Sequence, residues 1–162
     1  MPTVLTREER EQVVADLENR ILGWTRQLCL SLAENYKQYH RRMIENNAAM
    51  FNPDGSKAEL SRYAQHQLNE LNEGTFKGMR FTITTGKKYY KIISNDWDER
   101  REEWRSGGVH AFVNKKTGEV YKAASWSAPA KHVRYDLRVI RDREYVLDPR
   151  NCGWSGGYLY MR

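Results

Sequence analysis

Between Val109 and Arg134 the chain reads VHAFVNKKTGEVYKAASWSAPAKHVR, a stretch dense in Lys, Arg, His, Ser and Trp. These side chains suit a phosphate-bearing or base-bearing ligand. Cations neutralise phosphate, hydroxyls bond its oxygens, and an indole face stacks a base for about 1–3 kcal/mol. The central contacts are Lys122, Ser125, Trp126, Lys131 and Arg134, with Ser127 and His132 in the same stretch. Ser127-Ala128-Pro129-Ala130 has the form of an N-cap followed by proline in a first helical turn, which predicts a short helix from about Pro129 to Tyr135. The unpaired N–H groups of that turn, with Ser125, Ser127 and Lys131, would cradle an anion. The plainer alternative has Ser127 only capping the helix and Lys131 solvated. Trp126 likewise has two roles open to it, stacking a base or packing beneath the helix.

His110 and His132 both titrate near neutrality and could act as an acid and base pair on a phosphodiester. The sequence supplies no third element for that chemistry, and ligand contacts or structural hydrogen bonds are the more ordinary employment. The glycine pattern of a P-loop is absent, which argues against an ATPase. Tyr89, Tyr90 and Lys91 form an aromatic and basic strand segment of the kind that lines a base-stacking sheet, although it does not match the RNP patterns. The His and Cys residues lack zinc spacing, and arginines compete for the carboxylates between Asp96 and Glu103. The expectation is therefore no metal, no cofactor and no catalytic residue, with Tyr90, His110, Lys122, Ser125, Trp126, Ser127, Lys131, His132 and Arg134 as ligand contacts.

Other segments must position these groups. Thr6-Arg7-Glu8-Glu9 is a capping box, so a helix starts there. Val13, Leu17, Ile21, Trp24, Leu28, Leu32, Tyr36, Tyr39 and Met43 then make one apolar stripe, with Gly23 as a place to bend or break. Asn52-Pro53-Asp54-Gly55 is a turn by composition, and Ser56 caps a second helix that closes at Gly74. The stripe could pack on the sheet that follows or pair with another copy of the chain.

From Phe76 the period becomes two. Met79–Thr85 and Lys88–Ser94 form one hairpin, and Val109–Val113 and Glu119–Lys122 form another. In the second, alternation places His110 with Phe112, opposite Val109, Ala111 and Val113. Residues 95–108 read as a charged loop, 139–147 as a strand, and 158–161 as a closing strand. The fold class is α+β: residues 1–75 are a helical hairpin, and residues 76–162 are a basic domain with a small antiparallel sheet and one short helix.

The net charge of +6 is uneven. Residues 1–73 carry 9 basic and 11 acidic side chains, and residues 74–162 carry 18 and 10. The positive field belongs to the second half, and it attracts nucleotides, nucleic acid or acidic surfaces without choosing among them. No run nears the roughly 18 apolar residues of a membrane span, and the start lacks a signal peptide's apolar stretch. Cys29 and Cys152 read as two reduced thiols of a cytoplasmic protein, with a disulfide or a reactive thiol as the alternative.

Two phrases carry a resemblance. His110-Ala111-Phe112-Val113 through Lys116-Thr117-Gly118-Glu119-Val120, Lys122, Ala124-Ser125-Trp126 and Ala128-Pro129-Ala130-Lys131 form the first, and Trp154-Ser155-Gly156-Gly157-Tyr158-Leu159-Tyr160 the second. Together they resemble a widespread group of small, uncharacterised bacteriophage proteins over roughly residues 77–160. The resemblance implies a viral origin and a place in the host cytoplasm, and it transfers no catalytic residue.

The expected function is non-enzymatic capture of a nucleotide-type anion, as in a sponge that sequesters a host immune signal. Single-stranded DNA or RNA binding during phage replication is the alternative. Homo-oligomerisation through the N-terminal helix is a further expectation, and a membrane partner is not expected.

Overall fold

The computed structural model describes residues 4–48 and 52–161. Its first element is α1, Arg7–Ala48, a helix of 42 residues that runs through Gly23 without a break. The capping box forms as read: the Glu9 amide donates to Thr6 Oγ1 at 3.1 Å, and the Thr6 amide donates to Glu9 Oε2 at 2.7 Å. At 1.5 Å per residue α1 is about 63 Å long. The sheet beneath it is shorter, so only part of the apolar stripe finds cover. Ile21, Leu28 and Leu32 are fully buried, whereas Val13, Tyr39 and Met43 at the two ends are exposed.

Helix α2, Arg62–Glu73, starts six residues after the expected cap. Ser61 is the N-cap and accepts from the Ala64 amide, while Ser56 donates its hydroxyl to Asp54 Oδ1 within the preceding turn. Gly74 closes α2 in the left-handed conformation, as its lack of a Cβ permits. Two contacts hold α2 to α1: His40 Nε2 with Gln67 Oε1 at 2.9 Å, and Arg41 Nη1 with Asn72 Oδ1 at 2.8 Å. The expected helical hairpin is present.

Five antiparallel strands follow in the order β1-β2-β3-β4-β5, with β1 Met79–Thr85, β2 Tyr89–Asp98, β3 Glu103–Asn114, β4 Glu119–Lys122 and β5 Tyr135–Asp136. The fold class is α+β. The expected charged loop over 95–108 is instead the outer part of the β2–β3 hairpin. Trp97 and Trp104 pair across it with ring centroids 5.3 Å apart, and Asp98 accepts the Arg100 and Arg101 amides at its tip. A cross-strand aromatic pair outweighs a local charge pattern.

The helix side of the sheet is the core. Ile21, Leu28 and Leu32 of α1 meet Phe81, Ile92, Ala111, Val113 and Val120, and Leu137, Val146, Cys152 and Leu159 close the end. Cys29 and Cys152 are unlinked and buried, and burial pushes their thiols up to about 12 and about 11. Both stay protonated at neutral pH. No helix among the described residues is long and apolar enough to cross a membrane.

Three C-terminal expectations are corrected. Residues 139–147 contain α3, Ile140–Val146, not a strand; Val146 is its buried residue and Ile140 is exposed. Partial alternation in so short an apolar run does not separate helix from strand. Residues 158–161 do not form a strand either. Gly157–Leu159 is a 3-10 turn; Gly157 O accepts the Tyr160 amide, Tyr158 O the Tyr135 hydroxyl and Leu159 O the Arg134 guanidinium.

The helix expected over 129–135 does not form. Ala130 donates to Lys122 O and Arg134 to Val120 O, while Ala124 and Ser125 donate to Ala128 O. The chain thus turns at 125–128 and runs back along β4. His132 has φ 72, a left-handed value that ends any right-handed turn.

Candidate functional site

The loss of that helix removes the proposed anion cradle. Ser125 Oγ instead accepts the Ser127 and Ala128 amides, holding the tight turn of its own loop. Ser127 caps no helix among the described residues. Arg134 is engaged by three carbonyls: its Nε donates to Leu159 O at 2.6 Å, and its Nη1 donates to Lys131 O at 2.8 Å and His132 O at 2.6 Å. It ties the loop before β5 to the C-terminal turn. Tyr90 faces the core and is 5% exposed. Lys131 and His132 are exposed.

His110 departs from simple alternation for a definite reason. Ile92 pairs with Ala111 but Ile93 pairs with Val109, so His110 is an extra residue in β3, a bulge that turns it to the helix side. Strict alternation would place it with Phe112. Its ring meets Phe81 edge-on at 5.1 Å, and its Nε2 lies 2.8 Å from the Tyr158 hydroxyl. Burial lowers its pKa to about 4, so the ring is neutral near pH 7. It shares a cleft with Lys122, and His132 does not line that cleft.

A stability test follows from the sign of this shift. The unfolded chain takes up the His110 proton near pH 6.5, whereas the fold refuses it down to about pH 4. Stability contributed by the neutral ring is therefore complete above about pH 6.5 and is lost as pH falls toward 4. Between pH 7 and 5.5 the urea-unfolding free energy should drop by about 1 kcal/mol, and His110→Gln should flatten that drop. An equal drop in the variant would assign the effect elsewhere.

The opposite face of the sheet gathers a different set. The register places Arg80, Thr82, Tyr89, Lys91, Asn95, Trp97, Trp104, Phe112 and Tyr121 on it. Tyr89 meets Phe112 and Tyr121 edge-on at 5.8 and 6.0 Å. Trp126, brought over by the 125–128 turn, is 55% exposed.

Cations lie against these rings. Lys77 Nζ is 3.5 Å from the Trp97 centroid, Arg80 Cζ is 4.5 Å from Trp104, Lys88 Nζ is 5.4 Å from Tyr89, and Lys91 Nζ is 5.1 Å from Trp126. Arg80 is steadied by Asn95, whose Oδ1 also accepts from Thr82. Each cation sits within the roughly 6 Å at which a ring attracts it. None of these rings joins the buried core cluster beneath α1.

The sequence marks the Tyr89 and Lys91 segment but not its continuation: Trp97 and Trp104 lie inside the charged run, and Tyr121 is a lone ring between Val120 and Lys122. Their signal was the tryptophan spacing around a turn that Asp98 organises. A concavity of about 1380 Å³ between α2 and the β2–β3 tip, which Lys77 and Trp97 also line, carries Arg100, Arg101 and Arg105 alongside Asp96, Glu99 and Glu102. Its mixed charge favours no ligand class.

Fold and surface together define a two-layer α+β protein with helix on one face of its sheet and aromatic–cation pairs along the other. The chain belongs to a family of unknown function, DUF7717, which matches residues 5–161. No curated protein and no solved structure matches it.

Proposed function

We propose that the open sheet face binds single-stranded nucleic acid. Tyr89, Trp97, Trp104, Tyr121 and Trp126 offer stacking surfaces, and Lys77, Arg80, Lys88 and Lys91 neutralise phosphates. The observation that carries this reading is the repeated pairing of a cation with an aromatic ring along the sheet face opposite the buried core. Bases stack on rings while the backbone tracks positive charge, which is how sequence-tolerant single-strand binders work. The surplus of positive charge in residues 74–162 supports it as well.

By its resemblance to bacteriophage proteins, the process we propose for this activity is phage replication inside the host. Capture of a signalling nucleotide by the 109–134 cluster has weaker support, because the Ser125 hydroxyl and the Arg134 guanidinium are engaged within the protein and Tyr90, outside that stretch, is buried.

Fluorescence anisotropy with labelled oligothymidylates of about four to sixteen nucleotides tests the proposal. Affinity should rise with length until the face is filled. The logarithm of the association constant should fall against that of salt with a slope near -3, at about -0.7 for each of four neutralised phosphates. Equal affinity for a mononucleotide and the longest strand, or no salt dependence, would count against it.

A further inference from the structure

A cleft of about 370 Å³ lies on the other side of the sheet, between the β3–β4 edge and the C-terminal turn. Lys122 is the one charged residue among those that line it, and no carboxylate does so. Lys122 also has no acidic partner among the described residues; its Nζ stands 4.9 Å from the Tyr160 ring centroid. Trp154 and Tyr160 supply aromatic walls, and His110, Ser94 and Ser155 supply neutral polar groups.

The walls are fixed in place. The Trp154 amide donates to Asn35 Oδ1 at 3.0 Å, the Tyr135 hydroxyl to Tyr158 O at 2.9 Å, and Arg134 to Leu159 O at 2.6 Å. α1, β5 and the loop before it thus brace one rim, so the cleft exists before any ligand arrives. Its volume lies near the lower end of the roughly 300–1,000 Å³ typical of small-molecule sites. One nucleotide fits that size, and a polymer does not.

We infer that this cleft is a separate site for a nucleoside monophosphate, with Lys122 taking the phosphate and Tyr160 or Trp154 the base. A lone cation selects an anion, and its seat beside an exposed ring sets phosphate and base side by side. Ser155, exposed at the rim of the cleft, can bond the sugar, whereas the Ser94 hydroxyl is held by Gly108 and His110 Nε2 by Tyr158. This site is independent of the open face: Lys122 pairs with buried Ala111 on the helix side, whereas its neighbour Tyr121 pairs with Phe112 on the other.

Isothermal titration of the intact protein with the four ribonucleoside monophosphates, ribose 5-phosphate and inorganic phosphate tests the inference. At least one nucleoside monophosphate should bind about tenfold more tightly than ribose 5-phosphate. Lys122→Met and the surface change Tyr160→Ala should each weaken it severalfold, Lys122→Arg should retain it, and Lys91→Met should leave it unchanged. If Lys122→Met fails to fold, Tyr160→Ala and Lys122→Arg carry the comparison. Absence of binding by the wild type, equal binding of ribose 5-phosphate, or loss with Lys91→Met while Tyr160→Ala binds normally would each overturn it. Oligothymidylate affinity, which Lys91→Met should lower, reports separately on the open face.

Discussion

Trp126→Ala is expected to weaken oligothymidylate binding about tenfold or more while leaving the urea midpoint unchanged. The first half follows from the stacking energy of an exposed indole, about 1–3 kcal/mol per base, with tenfold corresponding to about 1.4 kcal/mol. The second follows from its setting. The ring is 55% exposed, and its recorded ring contact is with Lys91. Exposed changes of this kind usually move stability by less than about 0.5 kcal/mol. Trp126→Phe keeps an aromatic face and should recover part of the affinity. Lys91→Met should reduce the salt slope by about 0.7, because one phosphate contact is lost. Binding by Trp126→Ala equal to wild type would remove this indole from the interface.

Arg134→Met should behave in the opposite way, lowering stability by about 2–3 kcal/mol without a specific effect on the open face of the protein that remains folded. One guanidinium satisfies three carbonyls at 2.6–2.8 Å, and a hydrogen bond to a charged group contributes about 1.5–3 kcal/mol. Partial exposure of the group and relaxation of the loop keep the total below the sum of three. The left-handed His132 is part of the same arrangement, since the Lys131 and His132 carbonyls both turn to one Nη1. Arg134→Lys cannot reproduce the fork and should regain only part of the loss. Chemical denaturation decides the matter: a midpoint unchanged in Arg134→Met would contradict the bracing role.

These two residues mark what the sequence made legible. Local signals read well where they act within a few residues. The Thr6–Glu9 box starts α1, Gly74 ends α2, and Gly86 turns the first hairpin. The cap-and-proline signal at Ser127–Pro129 failed because its amides and carbonyls had longer-range partners. Ala130 pairs back to Lys122, so the segment extends along β4 rather than coiling.

The charge run over 95–108 hid Trp97 and Trp104 because solvation is the ordinary fate of such runs. Ser106-Gly107-Gly108 was the missed sign of an irregular strand. A Cβ at Gly107 would meet Ser94 Oγ at 2.8 Å, and the register slips between Ile93 and Asn95. The bulge at His110 moved that side chain to the other face, a one-residue change that periodicity alone could not register.

Of the nominated contacts, Lys122 and His110 meet in one cleft and Trp126 joins the open face. Ser125 and Arg134 hold the loop that carries Trp126 across. Their types were right for phosphate chemistry, but backbone groups claimed them first. Exposed Lys131 and His132 gain no ring or ionic partner among the described residues. The aromatic face became visible only once the register of β1 to β4 was known.

The location of the strand is the most direct test. Backbone and indole NMR shifts should be followed while oligothymidylate is titrated into isotope-labelled protein. Perturbations are expected at Tyr89, Lys91, Trp97, Trp104, Tyr121 and Trp126, with little change along α1. Perturbations concentrated on α1 or α2, with the open face silent, would contradict the proposal.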